Sequence, residues 1–316
     1  MSTEKNKMRG EFFRTQNWNL NKCLAPGNEC ASTAIRAHSV QNAQALDLLA
    51  HHGHVKGITV SFAGAEPSLS FSDVGRNRAT TFEGFCANHD SKLFLPIDSS
   101  PLDPADSEQL FLYAYRSVAR ETHAVMEGAS KMQSAYMSRV EVGWDSGEAP
   151  EPAGLAALAH LTNAHATWLY KQQWDKVLLE SRFTDVQHEI FYIDHDNACI
   201  AASSCFTLED RPDEDRIVRV CVNVFPISQK QTAVFFSYTV PDASRAKGFV
   251  MPILQADGHY QKYLLSKLIL THCENFVVAP RYFDGWPDRK RDAVISFFED
   301  SMHHNIERED DKLYLF

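Results

Sequence analysis

No stretch of this sequence approaches the run of about 18 apolar residues that crosses a bilayer. Its first residues, MSTEKNKMRGEFFR, contain no apolar segment of the kind that forms a secretory leader. The expectation is a soluble, cytoplasmic chain with no membrane role. GxxxxGK[ST], GxSxG and HExxH are all missing, so a P-loop, a serine-hydrolase elbow and a zincin helix find no support. Internal repeats and low-complexity tracts are missing as well.

Positive charge is scarce. The 316 residues carry 31 Lys and Arg against 41 Asp and Glu, a net charge of −10. Residues 1–100 hold 10 basic and 9 acidic side chains, so the remaining 216 hold 21 and 32. A free-standing nucleic-acid binder is usually basic, and the acidic two thirds of this chain argues against avid non-specific binding. That part better suits a protein partner, while the near-neutral first hundred residues can still meet nucleic acid.

Cysteine is sparse and odd in number: Cys23, Cys30, Cys86, Cys199, Cys205, Cys221 and Cys273. An odd count in a chain expected to be cytoplasmic does not suit a disulfide framework. Cys199, Cys205, Cys221 and Cys273 sit in apolar surroundings such as NACIAASSCF and RVCVNVF, where cysteine behaves as a small buried hydrophobe.

What is present is ordinary globular material, with 44% apolar residues. The punctuation divides it at about residue 100. Residues 1–100 are rich in Gly, Ser, Asn, Cys and His, with a weak helical pattern in NAQALDLLAHH and strand and loop character from Gly53 to Gly75. SSPLDPADSEQ then marks a boundary, with Asp103 as a candidate N-cap and Pro104 as the first helical residue. Helical periodicity covers 104–179, interrupted by WDSGEAPEPAG. EIFYID, ACIAASSCFTL, RIVRVCVNVFPI and TAVFFSYTV read as β-rich runs and imply an antiparallel sheet of about four strands across 189–240. Helices return over 258–303. The fold class is therefore α+β, with an N-terminal module at 1–100 and an α+β domain of unassigned role at 101–316.

The chemistry concentrates in TFEGFCANHDSKLF, where Cys86 and His89 stand one helical turn apart inside a knot of Phe82, Phe85, Leu93 and Phe94. Upstream, Cys23 and Cys30 flank LAPGNE, a turn that can return one thiolate near another. Three Cys and one His complete the tetrahedral set of a structural Zn²⁺, and the apolar knot is the small core that a metal-stapled module needs. The six-residue gap between Cys23 and Cys30 is wider than the usual two to four.

Other groups carry less. His51, His52 and His54 cluster without an adjacent acid and read as a polar helix end. His272 and Cys273 are neighbours on a helix and point about 100° apart, which rules out a dyad between them. YIDHDNA reads as a turn.

Over residues 20–95, the Cys pair, the run STAIRAH ending in His38, and a helix opening with Cys86 and His89 together resemble the HNH, or ββα-metal, nuclease module. That module is a treble clef, often stabilised by zinc. The resemblance implies His38 as the general base, Asn77 as the loop residue that positions it, and Asp90 as the helix ligand of a catalytic Mg²⁺ or Mn²⁺. It also implies Arg76, Arg78 and Lys92 as phosphate contacts. Asp73 or Glu83 would supply a second acid. The chain departs from the pattern at Ala37, where an acidic ligand often stands, and at Asp90, where His or Asn is usual. AH…GFC..HD also resembles uncharacterised bacterial proteins, some suspected in phage defence. Two functions follow: a metal-dependent endonuclease with a structural zinc, or a non-catalytic, zinc-stabilised sensor or protein-interaction protein.

Overall fold

The computed structural model describes residues 19–27, 30–61, 68–148, 151–208, 217–303 and 313–316. In chain order the elements are β1 (Ile35–His38), α1 (Asp47–Leu49), β2 (His54–Ser61), β3 (Ser68–Gly75), β4 (Thr81–Phe85), α2 (Ala87–Leu93) and α3 (Leu95–Asp98). Two long helices follow, α4 (Ser107–Glu141) and α5 (Pro152–Leu179). The strands β5 (Val186–Asp194), β6 (Ile200–Thr207), β7 (Arg219–Pro226) and β8 (Gln231–Thr239) come next. The chain closes with α6 (Ala243–Gln255), α7 (Gly258–His272), β9 (Phe276–Val278), α8 (Pro280–Asp284) and α9 (Asp288–His303).

By contacts the chain forms two units. One comprises Met1–Ala37, Phe82–Lys92 and Val118–Arg182; the other comprises His38–Thr81, Leu93–Ser117 and Phe183–Phe316. Both draw on residues from either side of position 100.

The α+β class holds, and the sheet is larger than four strands. The strands expected over 189–240 are β5 to β8, but the sheet has seven, in the order β3-β2-β9-β6-β7-β8-β5, and every pairing is antiparallel. Of the extra strands, β2 and β3 fall within the Gly53–Gly75 stretch that reads as strand and loop, whereas β9 lies outside every β-rich run of the sequence. β9 is only three residues long, too short to show a period. β2 and β3 are partly exposed and join the strands of 189–240 only through β9, a link that no local sequence pattern carries. β6 to β8 show an almost unbroken buried run instead of alternation, because both faces of the sheet centre are covered. Phe236, Val222 and Tyr238 pack with Ala246 and Val250 of α6 and with Leu265 and Ile269 of α7. On the opposite face, Tyr113 of α4 meets the rings of Phe225 and Phe235 at 5.0 and 5.7 Å.

The start of α4 also differs from expectation. Asp106, not Asp103, caps it: its Oδ1 accepts from the backbone N–H groups of Glu108 at 2.9 Å and Gln109 at 3.2 Å. Asp103 instead accepts from the N–H of Ala105 at 2.9 Å, in a separate turn that precedes the helix. No described helix is long and apolar enough to cross a membrane.

Candidate metal centre

The first unit holds the cysteine-rich site. Cys23, Leu24 and Ala25 are buried in the segment before the Pro26–Gly27 turn. The Leu24 N–H donates to the carbonyl of Gly84 in β4 at 2.7 Å, which anchors Cys23 beside the strand leading to Cys86. Gly27 has φ of +93°, a left-handed conformation that glycine adopts without a Cβ penalty. Asn28 and Glu29 lie outside the described residues. β1 and β4 form a two-stranded sheet, and α2 follows β4 directly. The Asp90 N–H closes the first turn on the carbonyl of Cys86 at 2.9 Å, so Cys86 and His89 share one helix face.

Cys23, Cys30, Cys86 and His89 each offer a ligand atom, all within 4.8 Å of one another. Cys30 Sγ is 3.8 Å from Cys86 Sγ, and His89 Nδ1 is 3.3 Å from the sulfurs of both Cys23 and Cys86. A tetrahedral metal with S at about 2.3 Å and N at about 2.0 Å has S···S edges of about 3.8 Å and S···N edges of about 3.5 Å. The cysteines are free thiols rather than disulfides. The polypeptide around them favours thiolates unevenly. Hydrogen bonds from the backbone and side chain of Ser32 lower the Cys30 thiol to about 7. Burial raises Cys23, against an opposing hydrogen bond from the Cys86 N–H at 3.4 Å. Among the described residues this is the one group of three or more His, Cys, Asp or Glu that could hold a metal ion.

The apolar knot divides. Phe82 and Phe85 meet edge to face at 5.9 Å beside the centre, and Phe82 also meets the ring of His123 at 5.8 Å. His123 Nε2 lies 2.8 Å from the carbonyl of Leu20, which ties the cysteine-bearing segment to α4. Leu93 and Phe94 belong to the second unit, where the Arg116 guanidinium stacks 4.0 Å above the Phe94 ring.

His38 and Asn77 fall in the second unit with Arg76 and Arg78, whereas Asp90 and Lys92 fall in the first. His38 Nε2 is 3.3 Å from the backbone carbonyl of Arg76. Burial lowers its pKa, Arg116 and Arg76 lower it further, and the Arg76 carbonyl and Asp98 oppose them. Asn77 Oδ1 accepts from Asn42 Nδ2 at 3.0 Å. Arg76 pairs with Asp47; Arg78 and Lys92 are exposed. Asp73 pairs with Lys56 at 2.9 Å and Glu83 with Arg36 at 3.6 Å. The three histidines 51, 52 and 54 build a tight turn, with His51 bridged to His54 and His52 at φ +50°, instead of a helix end.

Sequence reasoning missed the polar surroundings of His38. Arg116 holds Asp98 through two bonds of 2.9 and 2.8 Å, with its own side chain 3% exposed. The available signal was a charged residue among the apolar positions of FLYAYRSV. Next to His38, the Ser39 hydroxyl donates to the Thr80 carbonyl at 2.9 Å and accepts from Ser203 and Asn275. Thr80 itself sits at φ +57°, a conformation that costs a residue with a Cβ about 1–2 kcal/mol.

No family model, curated protein or solved structure matches this chain.

Proposed function

We propose that the first unit is a zinc-stapled treble-clef module whose metal is structural, and that the protein is a non-catalytic binding protein or sensor. Completeness of the donor set carries this reading. Three sulfurs and one imidazole fill a tetrahedron and leave no position for a substrate or water, the hallmark of structural zinc. Soft thiolates select Zn²⁺ over Mg²⁺ or Mn²⁺. The groups expected to catalyse are engaged within the chain: His38 by a backbone carbonyl, Asn77 by Asn42 and Arg76 by Asp47. Purified protein incubated with single- and double-stranded DNA and RNA, in Mg²⁺ and in Mn²⁺, tests this: the expected outcome is no cleavage.

One observation favours the endonuclease reading as a second possibility. An imidazole whose Nε2 donates to a carbonyl, and whose pKa burial lowers, carries its lone pair on Nδ1, as a base would. Under that reading Asp90 would hold Mg²⁺ or Mn²⁺, Arg78 and Lys92 would meet phosphate, and a role in bacterial defence would follow. Cleavage that His38→Ala reduces by about 10²–10⁴ while zinc is retained would establish it and overturn the first.

A further inference from the structure

The second unit contains a cleft of about 750 Å³ at one end of the seven-stranded sheet. Its walls are the Asp47–His51 segment, the turns carrying Asn197 and Gln229, and the stretch from Ala279 through α8 to Lys290. That volume is in the range of sites for small molecules of drug or nucleotide size.

The chemistry of the wall runs against the character of the chain. In a protein of net charge −10, the cleft is lined by Arg281 and Lys290, with His51 beside them, and by a single carboxylate, Asp47, which Arg76 engages. Neither Arg281 nor Lys290 forms an ion pair among the described residues. Lys290 is half-buried, with Nζ 4.0 Å above the Trp286 ring and 5.4 Å from that of Tyr282. Two aromatic faces hold the ammonium in place without neutralising it. Asn197, Gln229 and Tyr282 add neutral hydrogen-bonding groups to the same walls, and burial keeps the Tyr282 hydroxyl protonated.

We propose that this cleft binds a phosphate-bearing small molecule of nucleotide size, with Arg281 and Lys290 meeting the phosphate. A guanidinium offers a planar fork to two phosphate oxygens and an ammonium adds a point charge, so together they match a dianionic phosphomonoester. Burial lowers Lys290 to about 8; an anion alongside would stabilise its charged form. This deepens the binding-protein reading by naming what is bound, and it rests on that reading for its biological meaning.

The test is calorimetric titration of the full-length, zinc-loaded protein with inorganic phosphate, pyrophosphate and AMP, with adenosine as the uncharged control. Binding of AMP or pyrophosphate but not adenosine is expected, and it should weaken about tenfold or more in Arg281→Ala, an exposed position whose change should not disturb folding. Lys290→Gln should weaken it likewise, with unchanged zinc content showing that the chain is folded. Preference for AMP over inorganic phosphate would identify an organic phosphate as the ligand; equal affinity would identify the phosphate group alone. Absence of binding by all three anions, or binding unaffected by Arg281→Ala, would overturn the proposal. Release of phosphate from bound AMP would support the cleft while contradicting the non-catalytic reading, so the two fail separately.

Discussion

The sulfurs of Cys30 and Cys86 lie 3.8 Å apart, nearly twice the length of an S–S bond and equal to the edge of a tetrahedral thiolate site. A metal bound there would hold the two thiols at that separation and shield both. Chelation should therefore expose them to oxidation. Zinc-loaded protein treated with mild peroxide is expected to keep its thiols; chelated protein should lose a pair from Cys23, Cys30 and Cys86, mapped by peptide mass analysis. Equal oxidation with and without chelator would show that no metal protects these sulfurs.

Gly84 should tolerate no side chain. A Cβ there would come within 2.4 Å of the Phe82 ring, which itself packs on Phe85 and His123. The carbonyl of the same residue anchors Leu24 beside Cys23. Gly84→Ala is expected to cost about 1–3 kcal/mol, as overpacking does, and to weaken metal retention. Urea denaturation with parallel metal analysis checks both; an unaltered midpoint would contradict the packing.

Two half-buried histidines should make the second unit sensitive to mild acid. Burial lowers both His188 and His272 to about 4. His188 bonds the Ser237 hydroxyl at 2.8 Å, and His272 stacks on Phe206 at 4.2 Å. For a histidine whose folded pKa is depressed, the unfolded chain binds the proton first. The stability is thus complete above the unfolded value of about 6.5 and is lost as pH falls towards 4. Between pH 7 and 5 the loss is about 2 kcal/mol per group. His272→Phe should flatten that dependence by about one group's share in urea melts at the two pH values. A slope identical to the parent's would exclude His272 as a contributor.

The Arg116–Asp98 pair should tune His38 in opposite directions through its two members. Arg116 lowers the imidazole pKa and Asp98 raises it. Arg116→Met should move His38 up, and Asp98→Asn should move it down, as followed by NMR titration of the ring. Shifts of the same sign in both variants would mean that His38 senses a change in packing rather than these charges.

How much was legible beforehand follows from the length scale of each signal. Cys86 and His89 were readable because ligands one helical turn apart lie close together whatever the tertiary fold. Cys23 and Cys30 could be joined to them only through ligand chemistry. Their meeting depends on the Leu24–Gly84 backbone bond, to which side-chain identity is almost blind. The strands β5 to β8 were visible as apolar runs and β2 and β3 as strand and loop character between Gly53 and Gly75, but their joining into one sheet runs through β9, which is only three residues long. The surroundings of His38 were unreadable for another reason. Its partners Arg76, Asp98 and Arg116 lie 38 to 78 positions away in sequence, and their pairing depends on backbone paths rather than on a local motif. Pro104 suits a first helical turn and so points to Asp103 as the cap, yet Asp106 is the residue that reaches the free N–H groups of α4.

X-ray absorption at the zinc edge, together with metal analysis of protein purified without added metal, tests the central claim most directly. The account predicts about one zinc per chain in a shell of three sulfurs near 2.3 Å and one nitrogen near 2.0 Å, and loss of that zinc in Cys86→Ser. Protein that is fully folded and free of zinc, or a shell containing oxygen from solvent in place of one of the four ligands, would contradict it.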